Sequence, residues 1–163
     1  MSAQPVRRAV VPGSFDPITL GHLDIITRAA GIFPDVVVAV GRNTTKNYLF
    51  DEAERLELVR SAVAGLPGVS VAVIDGLLVD FCTRIGAGAI VKGIRSGSDV
   101  DYELPMAQVN HALSGIETLF LPAGRQYGGI SATLLREVAM NHGDISAFVP
   151  EPVAAAVRRK LGY

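Results

Sequence analysis

The sequence predicts an α/β fold, and three observations carry that reading. Strand-like apolar runs alternate with helix-like segments five times along the chain, the pattern of parallel strands joined by crossover helices. The runs are continuous instead of alternating, as in DVVVAV at 35–40, which marks strands buried on both faces. The 163 residues, 49% apolar and 19% charged, suit one globular core, and no internal repeat, low-complexity tract or linker divides them. The class implied is one Rossmann-like domain over residues 1–163, a five-stranded parallel sheet in the order 3-2-1-4-5 with helices on both faces.

Each element has a local reason. Strand 1 is read at Arg8–Val11 and helix 1 from about His22 to Phe33. Strand 2 is Asp35–Val40, followed by the polar loop GRNTTKNYLF that carries Lys46. Asp51 with Glu54 three residues on forms a capping box for helix 2, whose core face is Leu56, Val59, Val63 and Leu66, and Pro67-Gly68 stops it. Strand 3 is Val69–Ile74, a short helix runs from Leu77 to Ile85 before Gly86, and strand 4 is Ala89–Lys92. A helix carrying Tyr102, Met106, Val109 and Leu113 either starts late, with Pro105 in its first turn, or is kinked there. Strand 5 is Thr118–Leu121. Ser131 caps the next helix, with Gly143 beyond its end, and Pro152 opens the last.

Fifteen basic against sixteen acidic residues leave a net charge of −1, so no global field favours nucleic acid or an anionic membrane, and a phosphate partner must be held by a local cluster. The single cysteine, Cys82, lies in an apolar helical pattern and reads as a core residue. No apolar run approaches a membrane span, and Arg7-Arg8 is followed by Ala-Val-Val-Pro instead of a signal-peptide core. The expected location is the cytoplasm. The three histidines are scattered, so no metal-ligand cluster is expected, and neither a Walker loop nor a dinucleotide fingerprint is present.

The chemistry concentrates in VVPGSFDPITLGHLDII at 10–26. A loop of small residues between a strand and a helix N-terminus lets backbone N–H groups and the helix dipole approach a phosphate. His22 shares a helical face with Ile26, Ala29 and Phe33. It is either a half-buried histidine bonded to a loop carbonyl or an imidazole able to donate to charge developing in that hole. Lys92-Gly93-Ile94-Arg95 puts two cations around a glycine at a strand end: solvated surface charges, or a phosphate clamp. In the order 3-2-1-4-5 both stretches leave strands 1 and 4 at the same crevice.

The string PGSFDPITLGH resembles the TxGH/HxGH signature of the nucleotidyltransferase superfamily, in the form found in bacterial phosphopantetheine adenylyltransferases. YGGISATLLRE at 127–137 resembles the family's second signature, with Ala132 where many members have serine, and KGIRSGSDVDYE resembles its phosphate-binding segment, with Lys92 where many have arginine. The resemblance implies transfer of an adenylyl group from ATP to 4′-phosphopantetheine. It implies catalytic roles for His22, Ser14 and Lys46, and ATP contacts from Ser14, Phe15, His22, Gly93, Ile94, Arg95, Glu103, Tyr127, Gly128, Gly129, Ile130, Ser131, Ala132 and Thr133. Acceptor contacts fall on Ser14, Lys46, Leu78, Lys92 and Asn110, although Leu77 or Phe81 could face the ligand in place of Leu78. It further implies a homohexamer, with feedback binding of coenzyme A left open; the chemistry of the triphosphate leads to the expectation of Mg2+ carried with ATP, and the charge balance and short apolar runs to that of no nucleic-acid or membrane partner. The rival readings are a related enzyme using nicotinate mononucleotide or glycerol phosphate, and a nucleotide sensor without turnover.

Overall fold

The computed structural model describes residues 5–163; residues 1–4 of the expected domain lie outside the described residues. Its elements are β1 (Arg8–Gly13), α1 (Leu20–Ile32), β2 (Asp35–Val40), α2 (Glu52–Val63), β3 (Val69–Val73), α3 (Leu78–Arg84), β4 (Ala89–Ile94), α4 (Gly97–Ser114), β5 (Glu117–Pro122), a 3-10 turn at Arg125–Tyr127, α5 (Ala132–Met140) and α6 (Glu151–Leu161). The strands form one parallel sheet in the order β3-β2-β1-β4-β5, as the alternation predicts.

Strand periodicity sorts the side chains between two cores. Ala9, Val11, Val36, Val38, Val40, Ala89 and Val91 point to the face covered by α1, α2, α5 and α6, while Val10, Val37, Ala39 and Ile90 point to the opposite face with Val79, Phe81 and Cys82 of α3. Cys82 is fully buried, and loss of solvation pushes its thiol up to about 11, which removes it from nucleophilic chemistry at neutral pH.

Two local expectations are corrected. Helix 1 begins at Leu20, not His22, because Thr19 is its N-cap. Helix α4 does not start late with Pro105 in its first turn: it runs from Gly97 to Ser114 with Pro105 inside. Gly143 lies beyond the end of α5, as expected, and the left-handed residue there is His142 (φ 61). Gly143 is needed for space instead, since a Cβ there would lie 2.9 Å from the Val138 carbonyl oxygen.

One feature of the register prepares the site. β1 pairs with β2 along six residues and β4 with β5 along six, but β1 pairs with β4 only at Ala9↔Ala89 and Val10↔Ile90. Beyond Val10 the two central strands separate. Pro12 has no N–H with which to continue a ladder. Gly93 faces the Ile25 side chain of α1, where a Cβ would come within 2.8 Å of Cγ1. The sheet opens where its winding reverses.

Candidate active site

The opening is a cavity of about 330 Å³, within the size of small-molecule sites. Its walls are the separated strand ends, Val11–Gly13 and Val91–Gly93, with Thr19, Gly21, His22 and Ile25 of the first loop and helix. Arg95, Asp99, Tyr102 and Glu103 form one side, and Tyr127 with Ile130–Thr133 another. Two sequence-distant turns and the α5 N-terminus thus meet in one crevice.

His22 is held by a capping box of unusual composition. Its backbone N–H donates to Thr19 Oγ1 at 3.2 Å, and its Nδ1 accepts the Thr19 backbone N–H at 3.0 Å, a role commonly taken by glutamate. A backbone N–H can only donate, so Nδ1 carries no proton and the neutral ring carries its proton on Nε2. The Phe15 ring, 3% exposed, meets the imidazole edge-on at 5.1 Å. Phe15 itself sits at φ 50, a left-handed conformation costly for a bulky residue. Desolvation first, then the positive charges of Arg95 and Lys92, lower the His22 pKa from 6.5 to about 4. At neutral pH the imidazole is an uncharged donor.

The cations are paired internally. Lys92 Nζ lies 3.2 Å from Glu103 Oε1. Arg95 donates from Nε and Nη2 to the two Asp99 oxygens at 3.2 Å, and its Nη1 donates to the Ile130 carbonyl at 2.9 Å, tying β4 to the loop before α5. Partial burial pushes the Asp99 carboxyl up, but the hydrogen bonds from the Arg95 side chain and backbone outweigh this and hold it below the ordinary value. On the third wall, Ser131 caps α5 by accepting the Leu134 N–H at 3.1 Å. Thr133 Oγ1 accepts from Arg136, which also donates to the Asp16 carbonyl.

Of the residues singled out in the sequence, Phe15, His22, Lys92, Gly93, Arg95, Glu103, Tyr127, Ile130, Ser131, Ala132 and Thr133 line the cavity. Ser14, Ile94, Gly128 and Gly129 adjoin those residues in the chain without lining it. Lys46, Leu78 and Asn110 do not line it: Lys46 is exposed on the loop after β2, Leu78 packs partly buried against the α3 core, and Asn110 is buried beneath α4. Sequence reasoning overlooked Thr19, Asp99 and Tyr102. Thr19 carried a visible signal, a capping residue three positions before His22, whereas Asp99 reads as an ordinary helix-start acid.

Among the described residues no group of three or more His, Cys, Asp or Glu side chains is arranged to hold a metal ion. The cavity carboxylates Asp99 and Glu103 each face a cation.

A family model described as cytidylyltransferase-like matches residues 10–138. A Cutibacterium acnes protein named phosphopantetheine adenylyltransferase is 56% identical over 156 residues, spanning 96% of this chain and 99% of its own length. Proteins of the same name from a Nocardioides species and Corynebacterium glutamicum are 54% and 53% identical over 154 residues, spanning 94% of this chain and 97% and 96% of their own lengths.

Proposed function

The chain belongs to the cytidylyltransferase-like family and, within it, to the phosphopantetheine adenylyltransferases, and from that premise we propose that it joins the adenylyl group of ATP to 4′-phosphopantetheine, giving dephospho-coenzyme A and pyrophosphate, a step of coenzyme A biosynthesis. The observation that carries the reading is the neutral imidazole of His22, its Nε2–H without a hydrogen-bond partner among the described residues, in one cavity with the cations Lys92 and Arg95 at the point where β1 and β4 part.

The acceptor is a phosphate monoester, with a second pKa of about 6, so it is largely dianionic at pH 7 and needs no general base. Its oxygen attacks the α-phosphorus of ATP, and the bond from that phosphorus to the bridging oxygen of pyrophosphate breaks. Catalysis is then positioning and charge stabilisation. Ser14 and the Nε2–H of His22 donate to the α-phosphate as its charge grows. Lys46 and Lys92 hold the acceptor phosphate, with Leu78 and Asn110 along the pantetheine arm. Arg95, Glu103 and the 127–133 segment, including the N–H groups at the start of α5, hold the nucleotide. A magnesium ion carried on the triphosphate supplies charge neutralisation there, and phosphate oxygens, not a protein cage, are its main ligands.

A homo-oligomer, hexameric by family resemblance, is part of the proposal. It is supported by α4, whose Tyr102, Met106, Val109 and Leu113 share one face and are 53–77% exposed, while the helix buries only Asn110. Among the described residues no helix is long and apolar enough to cross a membrane, and a cytoplasmic setting belongs to the same proposal. Coenzyme A, which contains the product's skeleton, fits as a feedback ligand of the same crevice.

Pyrophosphate release tests the reading, with ATP and, in separate reactions, 4′-phosphopantetheine, nicotinate mononucleotide and glycerol phosphate. Only the first acceptor should turn over. His22→Ala should lower kcat by about 100-fold or more, as loss of a transition-state donor does, with little change in the KM for ATP. Equal loss in both would refute the transition-state role, and nucleotide binding without turnover would favour a sensor.

A further inference from the structure

Segment 41–51, which carries Lys46 between β2 and α2, is fastened only at its base. Arg55, near the start of α2, is the largest fully buried side chain, 1% exposed. Its Nη1 donates to the carbonyls of Ser14 at 2.6 Å and Gly41 at 2.8 Å. Its Cζ lies 4.1 Å from the centroid of the Tyr48 ring, and the Tyr48 hydroxyl accepts the Asn43 N–H at 2.7 Å. On the far side the Asp16 carboxylate accepts the N–H groups of Leu49 and Phe50 at 2.8 and 2.9 Å. Residues 44–47 between these fastenings are exposed, held by a turn from the Lys46 N–H to the Asn43 carbonyl and by contacts of Thr45 with the Asn43 side chain.

A guanidinium buried against two carbonyls and a ring, with its Nε unpartnered among the described residues, is an expensive way to staple a helix. Its contacts indicate what it holds. One carbonyl belongs to Ser14 in the loop between β1 and α1, the other to Gly41, the first residue of the lysine loop after β2, and the ring closes that loop from its far end. We propose that Arg55 and Tyr48 are positioning residues for Lys46, fixing the height and angle at which its loop leaves the sheet relative to Ser14 and His22. The proposal rests on the assignment of Lys46 to the acceptor phosphate. Reach from a loop tip depends on the base: tilting a four-residue tip moves an ammonium group by ångströms, and misplacement of about 1 Å suffices to lower turnover severely.

The test uses the intact protein and steady-state pyrophosphate release with ATP and 4′-phosphopantetheine. Tyr48→Leu removes ring and hydroxyl, Tyr48→Phe keeps the ring, and Arg55→Lys keeps the charge but cannot reach both carbonyls while stacking. Each is made alone and with Lys46→Ala, and thermal midpoints confirm folding. Tyr48→Leu should lower kcat about ten-fold while the KM for ATP stays within about two-fold, with Tyr48→Phe recovering most of the loss. In the Lys46→Ala background Tyr48→Leu should change kcat no further. The same loss with and without Lys46, or wild-type kcat for Tyr48→Leu when Lys46→Ala is impaired, overturns the positioning proposal and leaves the function standing. Wild-type turnover in Lys46→Ala overturns the role of Lys46 and, with it, the proposal.

Discussion

A histidine that stays neutral in the folded protein leaves a signature in stability against pH. Folding lowers the His22 pKa from 6.5 to about 4, so between those values the unfolded chain holds more protons than the native one, and stability falls as pH falls through that window. Above pH 6.5 this group contributes its full share and the curve is flat with respect to it. At about 1.4 kcal/mol per pH unit, the full interval corresponds to about 3 kcal/mol. Water in the cavity screens part of this, and about 2 kcal/mol should be lost by pH 4.5. His22→Asn is the informative comparison, because an amide oxygen can still accept the Thr19 N–H while offering no titratable site. Urea unfolding of both proteins from pH 7.5 to 4.5 cancels the carboxylate contributions, and the wild type should lose the extra amount. Since desolvation is the largest cause and the two cations are secondary, most of that loss should persist in roughly half-molar salt. Parallel curves for the two proteins would refute the neutral-donor description of His22.

Two further outcomes follow from the separated strands and from α4. Gly93→Ala places a Cβ 2.8 Å from Ile25 Cγ1, and the needed shift should cost about 1 to 2 kcal/mol of stability and raise the KM for ATP about ten-fold, read by urea unfolding and initial rates. If the proposed homo-oligomer packs through α4, Val109→Asp with Leu113→Asp on its exposed face should reduce the mass measured by light scattering while leaving the far-UV circular dichroism unchanged; an unchanged mass would overturn α4 as the proposed contact.

The topology was legible because parallel strands buried on both faces must be apolar throughout, as DVVVAV is. The turns that meet at the crevice were legible because glycine, proline and a helix-start histidine at fixed offsets leave few local conformations. Other features depend on contacts that no local pattern encodes. That β1 and β4 pair at only two positions follows from Pro12 and from Ile25 packing on Gly93, residues far apart in the chain. The burial of Arg55 beneath Tyr48 contradicts the ordinary expectation for arginine on a capped helix. For helix α4 the late-start alternative fails for a physical reason: Pro105 suits a first turn, yet an exposed helix can lose one hydrogen bond and continue through it.

The internal pairing of the cavity cations gives the crevice its electrostatic logic. Lys92 and Arg95 both act on His22, so two unpaired positive charges would stand close together in a half-enclosed cavity. Glu103 and Asp99 offset that repulsion. Each pair is partly exposed, so its contribution is small, about 1 kcal/mol or less. A polyphosphate offers the same cations several oxygens and more charge, with fork-like bonds to the arginine, and the exchange runs toward the ligand. Arg95 has a second anchor, its bond to the Ile130 carbonyl, so in the proposed nucleotide role the guanidinium would exchange Asp99 for phosphate while that bond holds it beside the α5 N-terminus. The carboxylates therefore hold the two cations in the cavity wall, and the low proton affinity of His22 keeps its Nδ1 free to accept the Thr19 N–H, so the ring carries its proton on Nε2.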